Sequence, residues 1–165
     1  MGVGVAPLVT SGPCELRPMV SRDLGQVVAI EQGWAPTPWR ASTFRNELDI
    51  PFSRALVAHP HGVPEEVIGY LVRWLVACEV HLLSVAVHSR ARRAGVGGYM
   101  LDELLLEARA ESADLVTLEV EAANEAALHL YASRGFEEVR RRANYYGRGR
   151  DALVLDLRLG CCDVS

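Results

Sequence analysis

The sequence predicts a mixed α/β domain, one sheet with helices on both faces, and three observations carry that expectation. Short runs rich in Val, Leu and aromatic residues recur along the chain. Segments with apolar residues at three- and four-residue spacing stand between them. The length, 165 residues of which 50% are hydrophobic and 23% charged, is that of one domain able to bury a real core.

Taken in order, residues 1–13 hold Gly, Pro and a few aliphatics and read as a flexible tail. A single domain is expected over 14–160, with a short tail at 161–165. Residues 15–19 form a first short strand, and Ser21 is placed to cap a helix bearing Leu24, Val27, Val28 and Ile30 that stops near Gly33. Thr37-Pro38 reads as a cap followed by proline at the first helical position, opening a second helix with Trp39, Phe44 and Leu48 inward and Pro51 beyond its end. The intervening loop carries Trp34 and two prolines and makes a stiff lip. Strands follow over 54–59, 67–77 and 80–88, the last two joined as a hairpin by the short Cys78-Glu79 step. Within the last of these the run from Leu82 to Val87, flanked by His81 and His88, is apolar except for Ser84 and lacks alternation, which predicts a central strand buried on both faces.

From Gly95 to about Glu111, Leu101, Leu104, Leu105 and Ala108 mark an amphipathic helix with a glycine-rich lead-in. Residues 114–121 form a strand, Asn124 caps a helix through Ser133, and Gly135 closes it in the left-handed conformation. Strands over 136–142 and 152–159 complete the order βααβββαβαββ, without repeats.

Composition narrows the chemistry. The net charge of −4 offers no global positive field for nucleic acid, so no DNA-binding role is expected. All 17 basic residues are Arg, and the absence of Lys excludes Schiff-base and phosphate-loop lysine chemistry. Cys14, Cys78, Cys161 and Cys162 show no C-x-x-C spacing, so no metal is expected. No apolar run approaches the ~20 residues of a membrane span, and the N-terminal stretch lacks a basic region, so a cytoplasmic protein is expected.

Three segments carry chemistry. Arg92-Arg93-Ala94-Gly95-Val96-Gly97-Gly98 lies between a strand and a helix N-terminus, where unpaired N–H groups and the helix dipole favour phosphate. Gly95 and Gly97 permit close backbone approach, with Arg90, Arg92 and Arg93 at the rim; plain turn chemistry stands beside this reading. In 115–121, alternation sends Val116, Leu118 and Val120 to one face and Thr117, Glu119 and Glu121 to the other. The two carboxylates, roughly 7 Å apart, are expected to raise each other's pKa, which suits a general base near neutrality; a solvated sheet face is the alternative. In 124–136, Ala127, Leu128 and Tyr131 share a helical face, which points the Tyr131 ring inward. His59 and His61 lack a third metal ligand, and Arg140, Arg141, Arg142, Arg148 and Arg150 read as a solvated basic patch.

Taken together these segments resemble the GNAT acetyltransferase superfamily, closest to its bacterial ribosomal-protein alanine N-acetyltransferase branch. The carrying residues are Pro38-Trp39 with Thr43-Phe44, Val85-Ala86-Val87, Arg92-x-x-Gly95-x-Gly97, Leu118-Glu119-Val120 with Asn124, Leu130-Tyr131 with Gly135-Phe136, and Asn144-Tyr145-Tyr146 followed by Asp151-Ala152. The resemblance implies a mixed, mostly antiparallel central sheet splayed in the middle, with acetyl-CoA as cosubstrate in the opening. By it, Val85, Ala86 and Val87 bind the pantetheine arm, Arg92, Arg93, Ala94, Gly95, Val96, Gly97 and Gly98 cradle the pyrophosphate, and Asn124 touches the CoA arm. It also implies Glu119 as general base and Tyr131 as general acid, with a main-chain N–H near Val87 stabilising the oxyanion.

The implied reaction is acetylation of a protein N-terminal α-amino group, a ribosomal protein beginning with alanine, by a monomer or weak homodimer. Trp39, Glu121, Tyr145 and Tyr146 are expected to bind that peptide, entering between the 34–38 lip and the tyrosine turn. Glu121 stands where the branch usually has a basic residue, which suggests acceptors with a basic residue near the amino end. A lysine side chain, polyamine or other small amine is the alternative acceptor, and a non-catalytic acyl-CoA sensor the alternative of another class.

Overall fold

The computed structural model describes residues 12–160; the expected tails at 1–13 and 161–165, with Cys161 and Cys162, lie outside them save for Gly12 and Pro13. Along the chain run β1 (Glu15–Pro18), α1 (Leu24–Gln32), α2 (Ala41–Asp49), β2 (Ser53–His59), β3 (Gly69–Val76), β4 (Glu79–Val87), α3 (Val96–Ala110), β5 (Leu115–Glu121), α4 (Glu125–Ala132), β6 (Glu137–Arg142) and β7 (Ala152–Arg158). This is the order read from the sequence. The strands form one sheet in the order β1-β2-β3-β4-β5-β7-β6, which makes β4 its middle strand.

Every neighbouring pair is antiparallel except β4 and β5. Those two are parallel, and their pairing runs only from Glu79↔Leu115 to Leu82↔Leu118. Beyond Leu82 they part. At the same point β4 pairs Leu82 with Arg73 and Ser84 with Val72, so Leu83 is an extra residue in the ladder. A bulge of this kind bends and twists its strand, and it sits where β5 is left behind.

Two cores lie on the two faces of the sheet. On one, α1 and α2 bring Leu24, Val27, Ile30 and Phe44 against Ala55, Val57, Tyr70 and Val72. On the other, α3 and α4 bring Met100, Leu101, Leu104, Leu105 and Tyr131 against Leu71, Val80, Leu82, Val116, Leu118 and Val120. The period of two sorts each strand between them: Tyr70 and Val72 face one way, and Leu71 and Arg73 the other. Arg73 is buried on the α3 side, where its guanidinium donates to Glu107 at 3.3 Å and Glu111 at 3.0 Å.

Some expectations are corrected. Helix α2 begins at Ala41 with Arg40 at its cap, so Thr37, Pro38 and Trp39 lie before it. Trp39 still packs inward, its ring 5.1 Å from that of Phe44. Ser21 opens a 3-10 turn without capping by its side chain; Asp23 does that work, accepting from the Val20 N–H at 2.9 Å. The hairpin turn is Ala77-Cys78, both at positive φ (49° and 63°), the conformation a two-residue hairpin needs and one usually given to Gly or Asn. Finally, β4 is not buried on both faces throughout: from Leu83 to Val87 it is half-buried, because it borders the opening.

Candidate active site

Where β4 and β5 diverge, one edge of β4 has no partner strand. The His88 N–H donates to the Ile68 carbonyl, and in an antiparallel ladder the groups aimed at one neighbour alternate with those aimed away. The main-chain groups of Val87 and Val85 therefore face the opening. Arg92 confirms the direction, its Nε reaching the Val87 carbonyl at 3.4 Å.

The chain then turns into α3 through Arg93 (φ 65°) and Gly95 (φ 81°), both left-handed. The Tyr99 N–H is bonded to the Gly95 carbonyl, so the N–H groups of Val96, Gly97 and Gly98 are the unpaired donors of a helix start. A Cβ on Gly97 would meet only Val87 and Leu130, at 3.6 and 3.9 Å. Gly98 is different: a Cβ there would lie 2.6 Å from a guanidinium nitrogen of Arg134. Its smallness thus also serves Arg134, which pairs with Asp102 at 3.1 Å. These features fit a phosphate-bearing arm: an open strand edge, then a helix N-terminus rimmed by Arg92 and Arg93, which are exposed. Asn124 Oδ1 accepts from the Ala127 N–H at 3.2 Å, so its amino group is what it has to offer a ligand.

On β5 the alternation holds. Val116, Leu118 and Val120 are buried, whereas Glu119 is exposed and Glu121 half-buried. Their electrostatics differ from the expectation that each raises the other's pKa. Arg150 clasps Glu121 through two bonds, Nε to Oε1 at 2.7 Å and Nη2 to Oε2 at 2.9 Å, and this guanidinium holds the Glu121 carboxyl below the usual carboxylate range. Glu119 meets Arg142 at 3.1 Å. The arginines read as a solvated patch are thus largely engaged: Arg142 with Glu119, Arg150 with Glu121, and Arg141 with Asp151 at 3.1 Å. Each β5 carboxylate thus has an arginine partner, Glu119 through a single contact and Glu121 through two bonds.

Tyr131 is buried, its ring edge-on to Phe136 at 5.6 Å. Burial, with a smaller contribution from Tyr146, pushes its phenol up to about 12. Tyr146 is raised too, by burial first and then by the carboxylate charge of Glu119, with Tyr145 and Glu121 adding to it. The turn carrying it is braced from within: the Asn144 N–H donates to Asp151 at 2.9 Å, and Asn144 Oδ1 accepts from Gly149 at 2.7 Å. Tyr145, edge-on to Tyr146 at 5.1 Å, is exposed, and the Arg142 guanidinium lies 5.3 Å from its ring centre. Trp39 is not in this group; it packs on the α1–α2 side, against Phe44.

One cluster on that side escaped sequence reasoning. Glu31 and Tyr70 are buried, and the Tyr70 hydroxyl donates to Glu31 Oε2. Burial and then this bond push the phenol far above its ordinary value. The signal was present: Glu31 follows Leu24 by seven residues and Val27 by four, which puts it on the apolar stripe. Among the described residues no helix is long and apolar enough to cross a membrane, and no group of three His, Cys, Asp or Glu side chains is arranged around a metal position.

Comparison with known proteins bears on the family and the fold. The acetyltransferase (GNAT) family model matches residues 24–136. The [ribosomal protein bS18]-alanine N-acetyltransferase of Salmonella typhimurium is 31% identical over 139 residues, covering 82% of this chain and 90% of that one. The crystal structure of the ribosomal-protein-S18-alanine N-acetyltransferase from Escherichia coli superposes with a TM-score of 0.81 at 26% identity, over 92% of this chain and 99% of that one. In fold alone, Arabidopsis thaliana NAA60, crystallised with acetyl-CoA, gives 0.78 at 21% identity over 88% and 98%.

Proposed function

This chain belongs to the acetyltransferase (GNAT) family, and from that premise we propose that its domain, residues 14–160, moves the acetyl group of acetyl-CoA to the N-terminal α-amino group of a protein, a ribosomal protein beginning with alanine. The acceptor follows the activity named for the Salmonella relative. The observation that carries the reading is the gap where β4 leaves β5 past Leu82, an open strand edge that runs into the glycine-rich N-terminus of α3, with Glu119 on the facing strand.

Val85, Ala86 and Val87 with the N-terminal turn of α3 hold the CoA arm, and Asn124 steadies it. Bound acetyl-CoA supplies the acetyl thioester. An α-amino group titrates at about 7.7–8.0 and is mainly protonated near pH 7, so it attacks only after Glu119 takes a proton, directly or through water. The main-chain N–H of Val87, facing the opening, is the donor available to negative charge developing on the acetyl oxygen. As the new C–N bond forms and the C–S bond breaks, Tyr131, protonated beforehand because burial pushes its phenol up to about 12, gives its proton to the departing sulfur and recovers one, through water, from the surplus proton on the newly bonded nitrogen. No covalent acyl-enzyme is required. Cys14 is unsuited to one, burial having pushed its thiol up to about 11. Trp39 stands on one side of the acceptor mouth, and Tyr145 and Tyr146 stand on the other. Glu121 acts by fixing the tyrosine turn through Arg150.

The test is thiol release from acetyl-CoA against a panel of alanine-first peptides, lysine side-chain peptides and polyamines. Turnover confined to α-amino acceptors supports the reading. Turnover of polyamines or lysine alone removes the acceptor class, and CoA binding without turnover removes the reaction.

A further inference from the structure

A buried carboxylate is costly unless its lone pairs are filled. Glu31 is 2% exposed and its bonds lead to one place. Its main-chain carbonyl accepts from Trp34 at 3.3 Å and Ala35 at 2.9 Å. Its side-chain Oε1 accepts from the Trp39 N–H at 3.1 Å, and Oε2 accepts from the Tyr70 hydroxyl. That hydroxyl in turn accepts from the Trp34 indole Nε1 at 3.4 Å and from Ser84 Oγ at 3.4 Å.

Both ends of the lip between α1 and α2 are therefore tied to a single carboxylate–phenol pair. Pro36 and Pro38 have no N–H to give, so the lip has few other ways to be held. Rings repeat the connection, Trp39 lying 5.1 Å from Phe44 and Phe44 lying 5.3 Å from Tyr70. Trp34 is 40% exposed although its N–H is bonded inward. Ser84 lies on β4 two residues past the last pair with β5, so the same cluster touches the strand that borders the opening.

We propose that Glu31, acting through Tyr70, is a positioning residue for the acceptor: it holds the 34–39 lip against β3 and β4 and so sets one wall of the peptide channel. The inference rests on the proposed peptide acetylation. Its energetic logic is pre-organisation, since a wall already ordered costs a peptide less to bind than one it must order itself.

Two variants test it. Trp34→Phe keeps a ring and removes only the exposed indole's bond to Tyr70; Glu31→Gln leaves one good acceptor for two donors. For each, KM for an alanine-first peptide is expected to rise about five- to tenfold, the equivalent of losing one hydrogen bond, while kcat, KM for acetyl-CoA and turnover of a one-residue amide such as alaninamide stay within about twofold. Amide hydrogen exchange should accelerate over residues 34–39 and not along β4. An unchanged peptide KM in Trp34→Phe overturns the proposal, as does an equal loss with alaninamide. Should Glu31→Gln fail to fold, Trp34→Phe decides alone. Failure of the underlying reading is a separate outcome: the unaltered protein would then acetylate no peptide at all.

Discussion

Replacing Gly97 by alanine separates two explanations of the glycine-rich turn, because they predict effects of opposite sign. In the protein alone the new methyl fits: its contacts would be Val87 at 3.6 Å and Leu130 at 3.9 Å, ordinary van der Waals distances. Gly97 is the second residue of α3, and removing a glycine's freedom from a helix is worth about 0.5–1 kcal/mol. For a chain of this size that is roughly 1–4 °C in Tm. Against a bound pyrophosphate the same methyl stands where the main chain must come close. Loss of one hydrogen bond to a charged group, about 1.5–3 kcal/mol, corresponds to roughly a ten- to hundredfold rise in the Kd for CoA. Thermal denaturation without ligand and calorimetric titration with CoA measure the two effects. Gly25→Ala is the control, since a Cβ on Gly25, also a second helical residue, has nothing within 4 Å; it should share the stability gain and leave CoA binding alone. CoA affinity unchanged in Gly97→Ala would refute the ligand role and leave the glycine as turn chemistry.

The other predictions concern the reaction and the fold. Glu119→Gln should lower kcat by about a hundredfold or more, the usual contribution of a general base, with KM for acetyl-CoA little changed in steady-state assays. Tyr131, titrating at about 12, stays protonated across the working range; a kcat–pH profile should show no fall attributable to it below about pH 10, and Tyr131→Phe should lower kcat at every pH. Glu121→Gln should change KM by a similar factor for acidic, neutral and basic peptides, because it loosens the Arg150 clasp; a selective loss with basic peptides would restore a direct charge role. Asp23 is buried, which on its own would raise its pKa, but two Arg17 bonds of 2.7 Å and the Val20 N–H outweigh burial and lower it. A depressed folded pKa gives stability that is present above the unfolded value near 4 and is lost as pH falls through the folded one. Asp23→Asn should therefore cost about 3–5 kcal/mol in urea denaturation at pH 7 and progressively less below pH 4.

The order of elements was readable because the periods were clean: two along Val116, Leu118 and Val120, and three to four along Leu101, Leu104, Leu105 and Ala108. The left-handed Gly135 and the Asn124 cap were readable for local reasons. What escaped depends on residues far apart in the chain. Arg142 and Arg150 reach Glu119 and Glu121 only because β7 lies between β5 and β6, and no one-dimensional pattern marks that. Thr37-Pro38 carries a good helix-start signal, yet the chain there is bonded back to Glu31 and the helix waits until Ala41.

The surplus residue at Leu83 makes the bend beside the gap in the sheet a property of chain length more than of residue identity. Leu83 and Ser84 face the same side, so removing the surplus residue would restore one-to-one pairing with β3 while leaving Val85 and Val87 on their present face, and would take away the local bend. Engineering that seeks a new acyl donor therefore has to keep the residue count between Arg73's partner and Val87 as well as the functional side chains on the two rims.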